Sequence, residues 1–587
     1  MRKYTLALFC LLYGVVIYAG NYIRVNQVGY LCNDIKVAVI GMDAPVSISN
    51  FILRNLDNNR TTTLKNIKNI GEFAPFAASA RLDFSSVTTP GRYRIEALDA
   101  VSPEFKIGDD VYSGLNELLL YYMRQQRCGY NPFLGDSCHT HDGVIVLHPT
   151  RSGEHVDVVG GWHDASDYLQ YTTTSANATY QMLFAYQEYP HVWGDNFDAS
   201  GNPGANGIPD ILDEARWGLE WLVKMNPDSV TFFNQIADDR DHRMSVLPHD
   251  DMVDYEFGPG GPRPVYPCSG VPYGIYSNKN ESTGLASSVG KFASAFALGS
   301  RLFADIDSAF ANLLKEKACN AYLVAADNPG ACQTAPCVSP YYYEEDNWSD
   351  DMQLAAIEMY KSHRDNRYFN DAVDYGRLEP ITPWMGADSA RHYQWYPFVN
   401  LGNFLVAETA REGRHRNEFI RNMRSGLQRV AERAQGNPFL NGIPFVWCSN
   451  NLTVAFITQA MLYRQLTGDN SFLEIETAMR DWIFGANPWG KCMIIGVEGT
   501  DFPVDPHSPL SNLKQYQLTG GLVDGPVYET IFKSLRGVHL RNVDKYARFQ
   551  GGVAVYHDDY SDYSTNEPTM DGTASLSFIL ALLASQK

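Results

Sequence analysis

Two periods divide the chain. From Asn21 to about Ile107 apolar and polar residues alternate in short runs: Ile23 to Val28 and Gly91 to Glu96 alternate, and Val37 to Ile40 is continuously apolar. Turn-forming stretches, Asp57-Asn58-Asn59 and Thr89-Pro90-Gly91, separate them. Several short strands within so few residues predict a small β-sandwich over residues 20–107. After Val111 the period becomes helical. Leu115, Leu118, Leu119 and Tyr122 mark a first helix, and eleven further helix-like segments follow before the end. The clearest begins at Ile208-Pro209-Asp210, with proline and acids in the first turn and a stripe through Ile211, Ala215, Leu219 and Leu222. Others centre on 292–303, 311–325, 351–359, 401–410, 419–430, 452–466, 472–484 and 573–583. Twelve helices make six hairpins, and six hairpins can close into a toroid whose last pair packs on its first. A solenoid is the competing helical architecture, but no repeat of about 30 to 45 residues supports it.

Long connections at 226–284, 377–399 and 487–569 are rich in glycine, proline and aromatics. Connections of that length in a compact domain carry function, so the working face is expected where they gather.

Composition narrows the class. The 587 residues carry a formal charge of −20, which argues against nucleic acid, a polyanion that calls for a clustered basic surface. A neutral polymer would be indifferent to that charge. Aromatics make up 13% of the chain, enough for flat platforms on which sugars stack, although a large core accounts for most of them. Residues 1–19 start with Met1-Arg2-Lys3, continue through an apolar run and reach a small residue at Ala19, the pattern of a secretory signal peptide. No later stretch is apolar for long enough to span a bilayer. The mature protein, residues 20–587, is therefore expected outside the cytoplasm, unanchored. Ten cysteines fall to nine without Cys10, so at least one is free, metal-bound or shared between chains. Cys332 and Cys337 bracket a short proline-containing loop and are read as a pair able to close a disulfide.

The sharpest chemistry lies in Gly160-Gly161-Trp162-His163-Asp164-Ala165-Ser166-Asp167-Tyr168. Two carboxylates three residues apart, in a glycine-led loop flanked by aromatics, suit activation of a water at a sugar-cleaving site. A second acid must protonate the leaving group. Glu567, in Asp562-Tyr563-Ser564-Thr565-Asn566-Glu567, is the candidate, provided the fold closes on itself. Cys128, Cys138, His139 and His163 form a further set: two thiols and two imidazoles suit structural zinc. A Cys128–Cys138 disulfide with bystander histidines is the alternative, and His141 or His155 could replace His163.

Several long stretches resemble glycoside hydrolase family 9: 160–168, 206–225 (NGIPDILDEARWGLEWLVKM), 343–360 (YEEDNWSDDMQLAAIEMY), 390–400 (ARHYQWYPFVN) and 556–574. The segment 23–30 is similar to the immunoglobulin-like module that precedes the catalytic domain in many bacterial cellulases of that family. The resemblance implies an immunoglobulin-like β-sandwich followed by an (α/α)6 barrel over residues 108–587, and inverting hydrolysis of β-1,4-linked glucans. By position, Asp167 would be the general base, Asp164 would help hold the water and Glu567 would be the general acid. An inverting pair is expected to stand about 6.5 to 9.5 Å apart. His392, Tyr393, Trp395, Tyr396, Trp384 and His507 are the candidate sugar contacts. Family members that carry the immunoglobulin-like module often hold zinc at such a cysteine and histidine set. Calcium is also frequent in the family, but no EF-hand-like spacing identifies ligands here; no organic cofactor is implied.

Two departures bear on substrate preference. The family's Pro-His-x-Arg is Pro506-His507-Ser508-Pro509 here, and an Asn common near the acid is Thr573. The expected activity is endo-acting cleavage of cellulose, mixed-linkage glucan or xyloglucan by a monomer. An exo-acting relative releasing glucose or glucosamine is the enzymatic rival, and a non-catalytic glycan-binding protein is the rival of another class.

Overall fold

The computed structural model describes residues 20–586 apart from 244, 379–400, 515 and 536. Nine strands come first: β1 (Asn21–Arg24), β2 (Val37–Met42), β3 (Phe51–Asn55), β4 (Thr61–Leu64), β5 (Ile67–Phe73), β6 (Phe76–Asp83), β7 (Gly91–Ala97), β8 (Ala100–Val101) and β9 (Phe105–Ile107). They form two antiparallel sheets, ordered β1-β2-β6-β5 and β4-β3-β7-β8, with β9 on β7. Alternate side chains such as Phe51, Leu53, Tyr93 and Ile95 point into one core, giving the expected sandwich.

The alternation read through Val28 ends earlier, because β1 stops at Arg24. Asn26 and Gln27 turn away from the sheet and dock on the helical domain. Asn26 Nδ2 donates to Asp481 Oδ1 at 2.8 Å, the Gln27 amide to the Phe484 carbonyl at 2.9 Å, and Gln27 Nε2 to the Gly490 carbonyl at 2.7 Å. Both side chains are buried against the helical domain.

Among the described residues the helices alternate between two kinds. α1 (Leu115–Gln125), α3 (Asp210–Met225), α5 (Ser308–Asp327), α7 (Asn366–Leu378), α9 (Gly413–Arg433) and α11 (Leu473–Ile483) bury one stripe. In α9 the stripe is Phe419, Met423, Gly426, Leu427 and Val430. By contrast, α2 (Thr172–Glu188), α4 (Ala286–Leu302), α6 (Ser349–His363), α8 (Leu401–Ala410), α10 (Ser449–Thr467) and the final pair α12 (Met570–Ser575) and α13 (Ser577–Ser585) are buried along most of their length. These form an inner ring in which each touches the next, and the last pair packs on α2 and α1. Phe184 and Phe578 stack 5.5 Å apart across this closure, and Ser577 Oγ donates to the Gln181 carbonyl at 3.1 Å. Among the described residues, then, five inner helices and a closing pair stand inside six outer ones, the closed toroid that the sequence pattern predicts, with two short helices (Pro509–Lys514 and Glu529–Ser534) in the last long connection. Neither α2 nor α7 was among the segments picked out from the pattern. α2 shows no apolar stripe, because neighbours cover every side of it and its buried residues include Thr172 to Ser175, Asn177, Thr179 and Gln181.

The connections build a separate layer. Short strands β10 (Val144–Ile145), β11 (Gln170–Tyr171), β12 (Phe233–Ile236) and β13 (Pro264–Pro267) pair in the order β10-β13-β12-β11, so the 226–284 connection is partly a sheet. No helix among the described residues is long and apolar enough to cross a membrane.

The cysteine pairing read from Cys332 and Cys337 does not form: all nine cysteines among the described residues are free. Cys332 turns towards Cys268 and Asn234, whereas Cys337 lies with Asp238 and Asp239. Nearness along the chain is overridden by the separate paths of the two side chains.

Candidate functional site

The loop 160–168 is held from below by α3. Trp162 Nε1 donates to Glu214 at 2.8 Å, Trp217 Nε1 to the Gly161 carbonyl at 2.8 Å and Trp221 Nε1 to the Val158 carbonyl at 3.1 Å. Glu214 is itself buried and paired with Arg127 at 2.8 Å. Gly161 sits at φ +70°, and a Cβ there would lie 2.7 Å from the Trp221 ring, so no larger residue fits. The motif 206–225 is therefore the seat of the loop, and the two sequence signals are one structural unit.

Asp164, Asp167 and Glu567 meet above this seat, in a cleft of about 780 Å3. Asp164 is only 7% exposed. Its Oδ1 accepts from Thr174 Oγ1 at 2.5 Å and its Oδ2 from the Tyr343 hydroxyl at 2.7 Å. Burial, and then the charge of Asp167, push its proton affinity well above the usual carboxyl range. Asp167 is more open. Its Oδ1 accepts from the Leu169 amide at 3.0 Å, and its Oδ2 lies 3.5 Å from His242 Nε2. Glu567 Oε1 accepts both the amide, at 3.1 Å, and the hydroxyl of Ser166. Burial raises the proton affinity of Glu567; the positive side of His507 opposes this, and Asp167 adds to it. The arrangement thus places an open carboxylate and a proton-retaining acid in one cavity, separated by 400 residues of chain (567 − 167). The seam that unites them is direct: the Met570 amide, at the start of α12, donates to the Asp164 carbonyl at 2.9 Å.

Sequence reasoning missed much of the cleft wall. His242 presents 42% of its side chain to the cleft. Burial works against its charge, but hydrogen bonding and the negative charge of Asp167 raise its pKa to about 9. Tyr341 to Tyr343, Trp447, Tyr563, Asp524 and Asp571 also line the cleft. Tyr343 lies within a quoted motif and His242 within a connection marked for its length, but neither signal named the residue. His507 does line the cleft, its ring 4.9 Å from that of Tyr560. Thr573, in place of the expected Asn, accepts the Leu522 amide at 3.0 Å and so braces the backbone. His392, Tyr393, Trp395, Tyr396 and Trp384 lie outside the described residues.

The wall bearing Tyr343 is anchored by a buried cation. Lys291 Nζ of α4 reaches Glu345 Oε1 at 2.6 Å and Asp351 Oδ2 at 2.8 Å, all three side chains being buried. An ammonium thus answers this acid cluster. Lys291→Met would leave the carboxylates uncompensated and is expected to cost about 3 to 5 kcal/mol of stability. Chemical denaturation of the variant, read by fluorescence, measures this.

The thiol and imidazole set also assembles. Cys128, Cys138, His139 and His163 place one donor atom each within 4.8 Å of one another. Cys128 Sγ is 3.7 Å from His139 Nδ1, and Cys138 Sγ is 3.8 Å from His163 Nε2. A tetrahedral zinc with bonds near 2.3 Å to sulfur and 2.05 Å to nitrogen needs about 3.5 Å between such donors. His139 Nε2 lies 3.1 Å from Asp251 Oδ2, the outer carboxylate that orients many metal-bound imidazoles. His155 instead points its Nε2 to the His141 carbonyl at 3.1 Å, at the surface. The donor set fits zinc. Besides it, only Asp238, Asp239 and Cys337 gather among the described residues, and there Asp238 is taken by Arg240 at 2.7 Å.

Comparison with known proteins follows the same lines. The family model described as Glycosyl hydrolase family 9 matches residues 112–580, and that of the Cellulase N-terminal ig-like domain matches 18–102. The chain is 25% identical to Endoglucanase C of Cellulomonas fimi over 97% of its own length and 52% of that protein, so it spans about half of that relative. It is 24% identical to a Cellodextrinase of Butyrivibrio fibrisolvens, covering 95% of this chain and 99% of the other. It is also 26% identical to a xyloglucan-specific endo-β-1,4-glucanase of Bacteroides ovatus, over 86% and 85% respectively. Among solved structures, a metagenome-derived glycoside hydrolase family 9 endoglucanase superposes with a TM-score of 0.75 and 26% identity, covering 96% of this chain and 99% of that one.

Proposed function

Because the chain belongs to glycosyl hydrolase family 9, we propose that it hydrolyses β-1,4-glucosidic bonds within glucan chains, with inversion at the anomeric carbon. The observation that carries this reading is the meeting of Asp164, Asp167 and Glu567 in one cleft, each in a different electrostatic setting. Asp167 takes a proton from the attacking water while Asp164, fixed by Thr174 and Tyr343, helps hold that water. Glu567 gives its proton to the leaving oxygen as the C–O bond breaks. The aromatic wall supplies stacking surfaces for neighbouring sugars.

Stereochemistry tests the mechanism. In proton NMR of cellohexaose hydrolysis, the first new reducing ends are expected as the α-anomer; β-anomer at the outset would mean retention. Product sizing tests the mode. On carboxymethylcellulose a rapid fall in viscosity with mixed oligosaccharides marks internal cleavage, whereas monosaccharide alone marks action at chain ends. The second outcome has its own support in the likeness to a cellodextrinase that the chain covers almost fully. Xyloglucan belongs in the substrate panel, given the Bacteroides ovatus relative.

We read the thiol and imidazole set as a structural zinc site held by Cys128, Cys138, His139 and His163. With four protein ligands the ion would supply no chemistry; Cys128, Cys138, His139 and His163 would hold it, and it would tie His163, beside Asp164, to the 128–139 segment. Metal analysis of the purified protein should find about one zinc per chain, and Cys138→Ser should lose it. Its melting temperature should fall by several degrees, as should that of the wild type in a strong chelator. Export from the cytoplasm, read from residues 1–19, accords with a polymeric substrate too large to enter a cell.

A further inference from the structure

The loop that carries the base also grips the acid. Ser166 stands between Asp164 and Asp167, and both of its donors, backbone amide and side-chain hydroxyl, converge on the same Glu567 oxygen, Oε1. We infer that Ser166 is the positioning residue of the proton donor: it occupies Oε1, leaves the transferable proton on Oε2, and fixes the acid to the loop that holds the base. This rests on the reading of Glu567 as the acid.

A protonated carboxyl has one hydroxyl oxygen and one carbonyl oxygen, and only the latter has full accepting capacity. An oxygen already taking an amide hydrogen and a hydroxyl hydrogen has no place for a proton of its own. The proton therefore resides on Oε2, and rotation of the carboxyl, which would interchange the two oxygens, costs both hydrogen bonds. When the proton moves from Oε2 to the glycosidic oxygen, the bonding pair of the C–O bond goes to that oxygen. Water then adds at the anomeric carbon and its proton passes to Asp167. As Glu567 becomes a carboxylate, the two bonds from Ser166 become charge-assisted and strengthen. Ser166 thus favours the state in which the acid is giving up its proton, a preference felt in the transition state.

The arrangement also sets spacing. Ser166 is the residue before Asp167, so the distance from acid to base is governed by one short piece of backbone seated on α3. An acid reached only through long side chains would drift relative to its partner. Ser166 is absent from the residues with left-handed backbone, so alanine can replace it without strain. Alanine keeps the amide donor and removes the hydroxyl alone.

The test compares leaving groups. Cellohexaose needs its leaving oxygen protonated; 2,4-dinitrophenyl β-cellobioside does not. Ser166→Ala is expected to lose about tenfold in kcat on cellohexaose, the worth of one hydrogen bond to a charged group, and distinctly less on the aryl glycoside. Ser166→Thr should recover most of the loss. The alkaline limb of the cellohexaose profile should also move to higher pH, because the lost bond favoured the ionised acid. Asp164, Asp167, His242, His507, Asp524, Asp571, Tyr563 and Cys448 share the cleft with Glu567, and Tyr122 of α1 acts on it from beneath; none of them changes in the variant. Equal losses on both substrates, or an unmoved limb, would overturn the role of Ser166. Full cellohexaose activity in Glu567→Gln would overturn the acid itself, a separate outcome.

Discussion

Glu567→Gln is expected to lower kcat on cellohexaose by about 10³-fold while leaving the affinity for oligosaccharide nearly unchanged. The amide matches the carboxyl in shape and still accepts from Ser166, but it has no proton to give. The loss should shrink on 2,4-dinitrophenyl β-cellobioside, whose leaving group departs unassisted. The wild-type pH profile carries a related expectation. In the proposed mechanism Glu567 works protonated, and burial together with Asp167 raises its proton affinity. Activity should therefore persist above the ordinary carboxyl range and fall as pH rises past the raised value. Initial rates on both substrates across pH check this. An unassisted substrate that suffers the full loss would remove Glu567 from the acid role.

The second large effect belongs to the base. Asp167→Ala should lose about 10³-fold on either substrate, since water must be activated whatever the leaving group. Its carboxylate is the more open of the aspartate pair, with one oxygen on the Leu169 amide and the other towards His242 and the cleft. Removing it leaves space on the side from which water attacks. Azide, a nucleophile that needs no base, should restore part of the rate and yield an α-glycosyl azide, identifiable by NMR and mass spectrometry. A β-glycosyl azide would mean that the attack comes from the opposite face. Asp164→Ala should not be rescued in this way, because Asp164 is enclosed by Thr174 and Tyr343.

Much of this architecture could be read from periodicity. The change from period two to 3.6 near Val111 divides sandwich from barrel, and the number of helices foretells closure. The hidden parts share one cause, burial on all sides. α2 lacks a stripe because it lies inside the ring, and Asn26 and Gln27 look like solvent positions because the surface that covers them is over 450 residues away. The site was legible to the same depth. Asp164, Asp167 and Glu567 announce themselves through glycines, aromatics and motif context. Thr174, Ser166 and His242 do not, since their part depends on where a loop runs in space. Of these, Ser166 lies within the motif, but which oxygen it holds depends on the path of the loop against Glu567. The cysteines teach the converse. Cys332 and Cys337 are near in sequence yet diverge, whereas Cys128 and His163 are distant in sequence and converge.

The hydrogen bond from Met570 to the Asp164 carbonyl has a consequence for biosynthesis. During synthesis the ring stays open until its final hairpin emerges, and until then the acid and the seam that props the base loop are both missing. Closure of the ring therefore has to precede any hydrolysis, because the proposed acid and the brace on the base loop come together only when α12 docks beside Asp164.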